Sequence, residues 1–320
     1  MKALTFSRFG GSEVLEYRDV PDPVLKADQV LMAARAIGLN FSDLERRRGT
    51  YHLLGQAPYI AGYEAAGVVA DPNGHPSLRA GDRIAVADVP FSNAALVAVP
   101  WSHAIPLPDD ITFEVAAAIL LQGLTAQYLV SDSHDVRPGE TIVVTAAAGG
   151  VGQFLTRYCV LRGANVLGLT TTDAKKPLIL AQGAVEAWNL KEDWKARVLE
   201  RTAGRGADVV YDSVGSTLGD SFDVTRTGGH VVLYGTTGGV PAPVDPRMLM
   251  DTSKTLTGGD LWGYLTSREE RIRRADELFE RVRSGQIVVA PPVLFPLAEG
   301  RAAHDYLETG RSAGKVLLTA

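Results

Sequence analysis

The sequence predicts a two-part α/β chain: a β-rich unit over residues 1–121, then a doubly wound unit on a parallel six-stranded sheet. Three observations predict it. Closely spaced short apolar runs, each closed by a turn signal, fill the first part. After residue 113 apolar runs alternate with helical stretches. A glycine-rich turn stands directly between one such run and one such helix.

The strands of the first part are read at Ala3–Phe6, Val30–Ala34, Gly67–Ala70, Arg83–Val86 and Ala95–Val99. Turn residues such as Phe9-Gly10-Gly11 and Asp71-Pro72-Asn73-Gly74 punctuate them. Phe113–Leu129 has few helix breakers and reads as a helix. The second part, residues 122–258, follows with strands at Thr141–Thr145, Asn165–Leu169, Glu186–Trp188, Asp208–Tyr211, His230–Tyr234 and Thr255–Thr257. Runs such as Ile142-Val143-Val144 and Val231-Val232-Leu233 do not alternate, which suits parallel strands covered on both faces. Residues 259–320 form a return segment: Arg268–Arg283 reads as a charged surface helix, and Val288-Val289 and Val316-Leu317-Leu318 read as strands.

Bulk composition narrows the function classes. The 320 residues are 46% hydrophobic and 22% charged, which is ordinary globular usage. A net charge of −5 with scattered signs argues against a nucleic-acid or anionic-membrane surface. Cys159 is the only cysteine, so an intrachain disulfide and a four-cysteine zinc site are impossible. The first residues, MKALTFSRFG, lack the apolar core of a signal peptide, and no run is read as membrane-spanning. A cytoplasmic protein is expected.

The glycine turn is Ala147-Ala148-Gly149-Gly150-Val151-Gly152. The helix after it has apolar residues at Val151, Phe154, Leu155, Tyr158 and Cys159, the stripe of a helix lying on a sheet. Backbone N–H groups at such a helix start bind a pyrophosphate, and a Cβ would hold the anion off. Gly149 and Gly152 match the second and third glycines of G-x-G-x-x-G, and Ala147 replaces the first. The backbone of Ala148, Gly149, Gly150, Val151 and Gly152 is therefore read as a dinucleotide cradle. A tight turn without a ligand is the alternative.

The tip of the following strand separates NAD from NADP. An acidic residue there would hold a ribose 2′-OH. Here the strand ends in Thr170-Thr171-Thr172, with Asp173 slightly late and Lys175 in the next turn. Thr170, Thr171 and Lys175 suit a 2′-phosphate, so NADPH is the expected cofactor. A solvated turn with incidental lysines is the alternative.

The segments Ala36–Asp43, Gly62–Gly67, Ala80–Arg83, Gly123–Ala126, Ala146–Gly152, Val209–Gly215 and Gly314–Leu318 occur in order. This series resembles the quinone oxidoreductase branch of the medium-chain dehydrogenase/reductase superfamily, along nearly the whole chain. The resemblance implies a GroES-like catalytic domain, a Rossmann domain and a homodimer formed through the Rossmann domain. Zinc-dependent relatives place ligands at positions that here hold Asn40, Tyr63 and Leu121, so the resemblance implies a zinc-free site. Glu64 alone remains there, with a structural role.

Without a Lewis acid, an already electron-poor acceptor is the expected electrophilic substrate. Quinones and α,β-unsaturated carbonyls fit. Related enoyl reductases use a tyrosine at the position of Tyr51, which is either the donor to the acceptor oxygen or a packing residue. Asn40 is read with it as catalytic. Asp43 is a pocket residue or a helix cap. Tyr63 and Leu121 line the pocket, with Tyr63 narrowing it, while Trp262 and Tyr264 are either an aromatic wall or core residues. Thr125, Gly235, Thr236, Leu261 and Lys315 carry over as cofactor contacts. Arg46-Arg47-Arg48 is the one obvious basic cluster and reads as a solvated face. The leading function is NADPH-dependent reduction of a quinone or enone. An enoyl-thioester reductase and a non-enzymatic NADPH-binding protein of the zeta-crystallin type are the rivals.

Overall fold

The computed structural model describes residues 1–310, 312 and 314–320. The chain divides into two compact units, Met1–Leu121 with Leu265–Ala320, and Gln122–Tyr264.

In chain order the first unit opens with strands β1 (Lys2–Phe6), β2 (Glu16–Asp19) and β3 (Gln29–Leu39), helix α1 (Phe41–Arg48), and strands β4 (Tyr59–Ile60), β5 (Ala65–Asp71), β6 (Arg83–Val86), β7 (Leu96–Pro100) and β8 (Ile105–Pro106). Helix α2 (Phe113–Tyr128) leads into the second unit. There β9 (Thr141–Val144), α3 (Gly150–Leu161), β10 (Asn165–Thr170), α4 (Lys176–Ala181), β11 (Glu186–Asn189), α5 (Trp194–Arg201), β12 (Ala207–Asp212), α6 (Leu218–Val224), β13 (Thr225–Leu233), α7 (Pro246–Thr252) and β14 (Thr255–Gly258) follow. Helix α8 (Arg268–Arg283), β15 (Val293–Pro296), α9 (Gly300–Glu308) and β16 (Val316–Thr319) belong to the first unit again.

The long strand β3 organises the first unit. Its first half alternates, burying Val30, Met32 and Ala34. Strand β5 pairs with residues 31–37 of β3, while β7 and β16 pair with its two halves, residues 29–33 and 36–39. Strand β16 thereby pairs the chain's last residues with β3 near its beginning. Phe6, Met32, Ile37, Val69, Val99 and Leu318 meet in one apolar cluster.

The second unit holds six parallel strands in the order β11-β10-β9-β12-β13-β14. Counted along the chain this is 3-2-1-4-5-6, the order of a Rossmann sheet. The order reverses beside β9, and in such sheets ligands bind at the carboxyl ends of the strands at that point. Strand β9 ends there in the glycine turn.

Several expectations need correction. Val288-Val289 is not a strand, and the tail's first strand is β15 instead. On α3 the buried face is Gly152, Leu155, Thr156, Tyr158 and Cys159, whereas Val151 and Phe154 are only half-buried. The segment Phe113–Ser133 is long and apolar enough to cross a membrane, contrary to the sequence reading. Its most apolar window is 72% buried within the protein, as in a core helix. Burial raises the pKa of the Cys159 thiol, which keeps it protonated and unreactive.

His304 is fully buried on α9. Its Nδ1 lies 3.4 Å from a guanidinium nitrogen of buried Arg47, which also binds Glu308 and the carbonyl of Gly10. Desolvation and then the Arg47 charge push the imidazole down to about 3 from 6.5. The folded state therefore refuses a proton that the unfolded chain accepts. Stability from this group is complete above 6.5 and is lost progressively as pH falls towards about 3. Urea titrations across that interval should give His304→Gln a shallower pH dependence than the parent chain; identical slopes would refute the assignment.

Candidate functional site

In the second unit, the turn between β9 and α3 needs glycine for a measurable reason. A Cβ on Gly152 would lie 2.3 Å from the carbonyl oxygen of Ala146 and 2.7 Å from Cα of Ala147, both backbone atoms. Gly149 caps the helix in extended conformation and receives little crowding, since its nearest neighbour would be 3.1 Å away. Gly149 and Gly150 are exposed, so an anion can reach the first-turn N–H groups. Ala147, in the first glycine position, is buried and donates its N–H to Leu169. The left-handed residue is its neighbour Ala146, at φ +46°. The glycine-to-alanine change at 147 is tolerated because the unusual dihedral falls elsewhere.

At the end of β10, Thr170 is buried and Thr171 is exposed. The late acidic residue Asp173 is already engaged: its carboxylate lies 3.0 Å from Lys176 Nζ and accepts from Asn189 Nδ2 at 3.3 Å. These partners hold Asp173 below the usual carboxylate range. Lys176 also binds Glu192. Lys175 is half-buried and makes no ion pair among the described residues. Partial burial lowers its pKa, so a nearby anion would favour its charged form. Leu190 packs against the cluster containing Trp188 and Trp194.

One loop at the carboxyl edge of the same sheet, the one after β12, is tied down by the last residue of that strand. The buried Asp212 carboxylate accepts from the Val214 and Gly215 N–H groups and from the Thr217 and Ser221 hydroxyls. A carboxylate closing a buried strand and followed by a run of small donors was the available signal. Gly235 lies across from it, and a Cβ there would come within 2.9 Å of the Ser213 carbonyl. Thr236 is exposed and Leu261 buried. Thr125 is buried on α2. Tyr264 stacks on Tyr128 at 4.3 Å and 11°, which is a packing contact, while Trp262 is half-buried beside it in sequence.

In the first unit, residues from four distant segments meet at Glu64, which is fully buried. One carboxylate oxygen accepts from Asn40 Nδ2 at 2.9 Å and from Lys315 Nζ at 2.7 Å. The other accepts the Leu121 backbone N–H at 2.7 Å. Lys315 also donates to Asn40 Oδ1 at 2.6 Å. Asn40 and Lys315, expected on separate grounds, are thus direct neighbours, and both ends of the Asn40 amide are engaged. The Lys315 ammonium is held by this pair. Gly38 makes room for it: a Cβ would stand 2.3 Å from Glu64 Oε2 and 2.6 Å from the Ala117 carbonyl.

Asn40 also begins α1, where Asp43 accepts its backbone N–H at 2.9 Å. Asp43 is fully buried and pairs with Arg46 at 3.1 Å, so capping is one of its roles. The basic run is not a solvated face. Arg46 and Arg47 are fully buried and only Arg48 is exposed. The Arg46 guanidinium carbon sits 3.9 Å from the centroid of the Tyr63 ring and 5.0 Å from that of Tyr51. Tyr63 is buried, which raises its phenol pKa, and Tyr51 is half-buried. Among the described residues, no group of three or more His, Cys, Asp and Glu side chains is arranged to hold a metal ion.

Residues 26–141 match the alcohol dehydrogenase GroES-like domain, and residues 150–280 match the zinc-binding dehydrogenase family. A quinone oxidoreductase of Pseudomonas aeruginosa is 37% identical over 99% of this chain and 99% of its own length. A 2-haloacrylate reductase of Burkholderia is 32% identical over 99% of this chain and 98% of its own. The crystal structure of Escherichia coli quinone oxidoreductase complexed with NADPH superposes with a TM-score of 0.94 and 32% identity, covering 100% of both chains. With the GroES-like unit, the 3-2-1-4-5-6 sheet and the glycine turn in place, these likenesses make the chain a member of the quinone oxidoreductase branch of the medium-chain dehydrogenase/reductase superfamily.

Proposed function

We propose that this protein is a zinc-independent, NADPH-dependent oxidoreductase that reduces quinones or α,β-unsaturated carbonyls. One observation carries the reading. Asn40 and Leu121, at the ligand positions of zinc-dependent relatives, each direct an N–H at Glu64, and Lys315 occupies the remaining polar contacts of that group. A donor set of N–H groups around an ammonium suits no metal cation, because zinc needs thiolate, imidazole or carboxylate ligands. The acceptor must then be electron-poor by its own chemistry. A 2-haloacrylate, the substrate named for one relative, is also a conjugated alkene.

The glycine turn fits the pyrophosphate of NADPH, because Gly149 and Gly150 expose backbone that a Cβ would cover. Thr170, Thr171 and Lys175 fit the 2′-phosphate, since Lys176 and Asp173 already satisfy each other. Gly235, Thr236, Leu261 and Thr125 complete the cofactor contacts in the second unit. When bound, NADPH supplies the hydride that the electron-poor carbon accepts. Tyr51 is the residue that donates a hydrogen bond to the acceptor oxygen as it gains charge, since a phenol carries an O–H donor. Asn40 acts through Lys315 and Glu64 rather than on the acceptor, as both its amide ends are occupied. Tyr63 and Leu121 bound the acceptor pocket.

The enoyl-thioester alternative loses its one supporting feature. A phosphopantetheine groove would use Arg46-Arg47-Arg48, but two of the three are buried in internal bonds. A homodimer through the second unit is supported by β14, which forms an edge of its sheet, and by the exposed Val240 and Met250 nearby.

Consumption of NADPH should be seen with benzoquinone, naphthoquinones and methyl vinyl ketone, should be absent with saturated ketones, and should survive chelators. Tight NADPH binding without turnover on any of these would favour the binding-protein alternative. Activity abolished by chelation and restored by zinc would refute the metal-free reading. Lys175→Glu should raise KM for NADPH by about tenfold or more, roughly 1.4 kcal/mol, and shift preference towards NADH. An unchanged NADPH-to-NADH ratio would remove Lys175 from the 2′-phosphate site. Light scattering at micromolar protein should give twice the chain mass, and a monomer would rule out the dimer.

A further inference from the structure

We infer that Arg46 is a positioning residue for the proposed reaction: its buried guanidinium holds Tyr51 in place from below the ring while anchoring Tyr63 beside it. The inference rests on the reading of Tyr51 as the donor to the acceptor oxygen. Arg46 lies in the last turn of α1, and its side chain is fully buried. One of its nitrogens donates to Asp43 Oδ1 at 3.1 Å and to Ser42 Oγ at 3.0 Å. Its Nε donates to the carbonyl of His52 at 3.2 Å. These bonds fix the plane of the fork, which a guanidinium has and an ammonium lacks.

That plane then faces two aromatic rings, Tyr63 at 3.9 Å and Tyr51 at 5.0 Å. Cations at such distances are attracted to the ring face, more strongly when desolvated. The backbone anchor is on His52, directly after Tyr51 in the chain. Arg46 therefore grips both the ring of Tyr51 and the main chain beside it. Gly49 lets the chain return over the helix end: it sits at φ +77°, and a Cβ would meet the Phe9 ring at 2.8 Å. Tyr63 is fixed from its own side, because Gly62 at φ +92° packs against Asn93 and the Tyr63 carbonyl accepts from Val89.

Arg46 acts through geometry rather than charge. Asp43 already neutralises Arg46, so little net field reaches Tyr51. What Arg46 supplies is orientation, and a hydrogen-bond donor displaced from the acceptor oxygen loses rate even when its chemistry is intact. A lysine at 46 keeps the charge opposite Asp43 but cannot make three directed bonds and present a flat face at once.

The test is a double-mutant cycle of wild type, Arg46→Lys, Tyr51→Phe and the combined variant, with kcat and both KM values measured for NADPH and a quinone. Tyr51→Phe should lower kcat about a hundredfold. Arg46→Lys should lower kcat about tenfold and leave KM for NADPH unchanged. In the combined variant the loss should stay within about twofold of Tyr51→Phe alone, because the arginine then has no phenol to place. Multiplying losses, or a wild-type kcat in Arg46→Lys, would overturn the proposal. A wild-type kcat in Tyr51→Phe would overturn the donor reading itself, which is a separate result. Should Arg46→Lys not fold, the cycle is run with Arg46→Met on Asp43→Asn, which leaves no buried charge unpaired, and the same non-additivity decides.

Discussion

A single buried carboxylate constrains the first unit more than any other group. Glu64 has no contact with water, so its charge must be met by protein. It is met by Lys315, by the Asn40 amide and by the Leu121 N–H. Those three residues stand just before β16, at the cap of α1 and on helix α2. Loss of any one would leave a buried charge short of a partner, at a cost of about 3–5 kcal/mol for the ion-pair partner. The demand propagates backwards into the sequence: residue 38 must lack a Cβ because the carboxylate fills that space. It also propagates forwards, since Asn40 simultaneously caps the helix that delivers Asp43 and Arg46. One polar network thus runs from Lys315 through Glu64 and Asn40 to Asp43, Arg46 and the two tyrosines.

The second unit is governed by backbone rather than by charge. At Gly152 the helix passes so close to Ala146 and Ala147 that no side chain fits, and that closeness is what points the first turn of α3 outward from β9. Ala146 takes the left-handed conformation at a cost an alanine normally avoids. The strain is tolerated because both neighbours are tied, with Thr145 bonded to Tyr211 and Ala147 bonded to Leu169. Asp212 does comparable work for the loop after β12, replacing four separate solvent hydrogen bonds with one acceptor.

These two kinds of constraint explain what could be read from the sequence. The parallel sheet was legible because its signal is local: unbroken apolar runs, then glycine, then helix. The start of the cofactor loop was legible for the same reason, even with Ala147 out of pattern. Buried charge was not. Arg46 and Arg47 look like surface residues until their partners are known, and Glu308 and His304 lie more than 250 positions away from Arg47. Lys315 was expected at the site, but its pairing with Glu64 joins residues 251 apart and has no local signature. Val288-Val289 failed in the opposite way: two β-branched residues carry strand propensity, but the edge beside β16 is taken by Val293–Pro296 instead.

The chemistry follows from how these networks use up their donors. A residue whose amide is bonded at both ends orients its neighbours rather than answering an incoming oxygen. Asn40 is in that position, Lys315 gives two of its three ammonium N–H groups to Asn40 and Glu64, and Arg46 directs its bonds at Asp43, Ser42 and the His52 carbonyl. Under the proposed function the donor to the acceptor oxygen is Tyr51, which is half-buried and meets this network through its ring face at Arg46. A hydrogen bond from a phenol stabilises less developing charge than a metal ion does. Under the proposed function such a donor suits an acceptor that already draws electrons to itself.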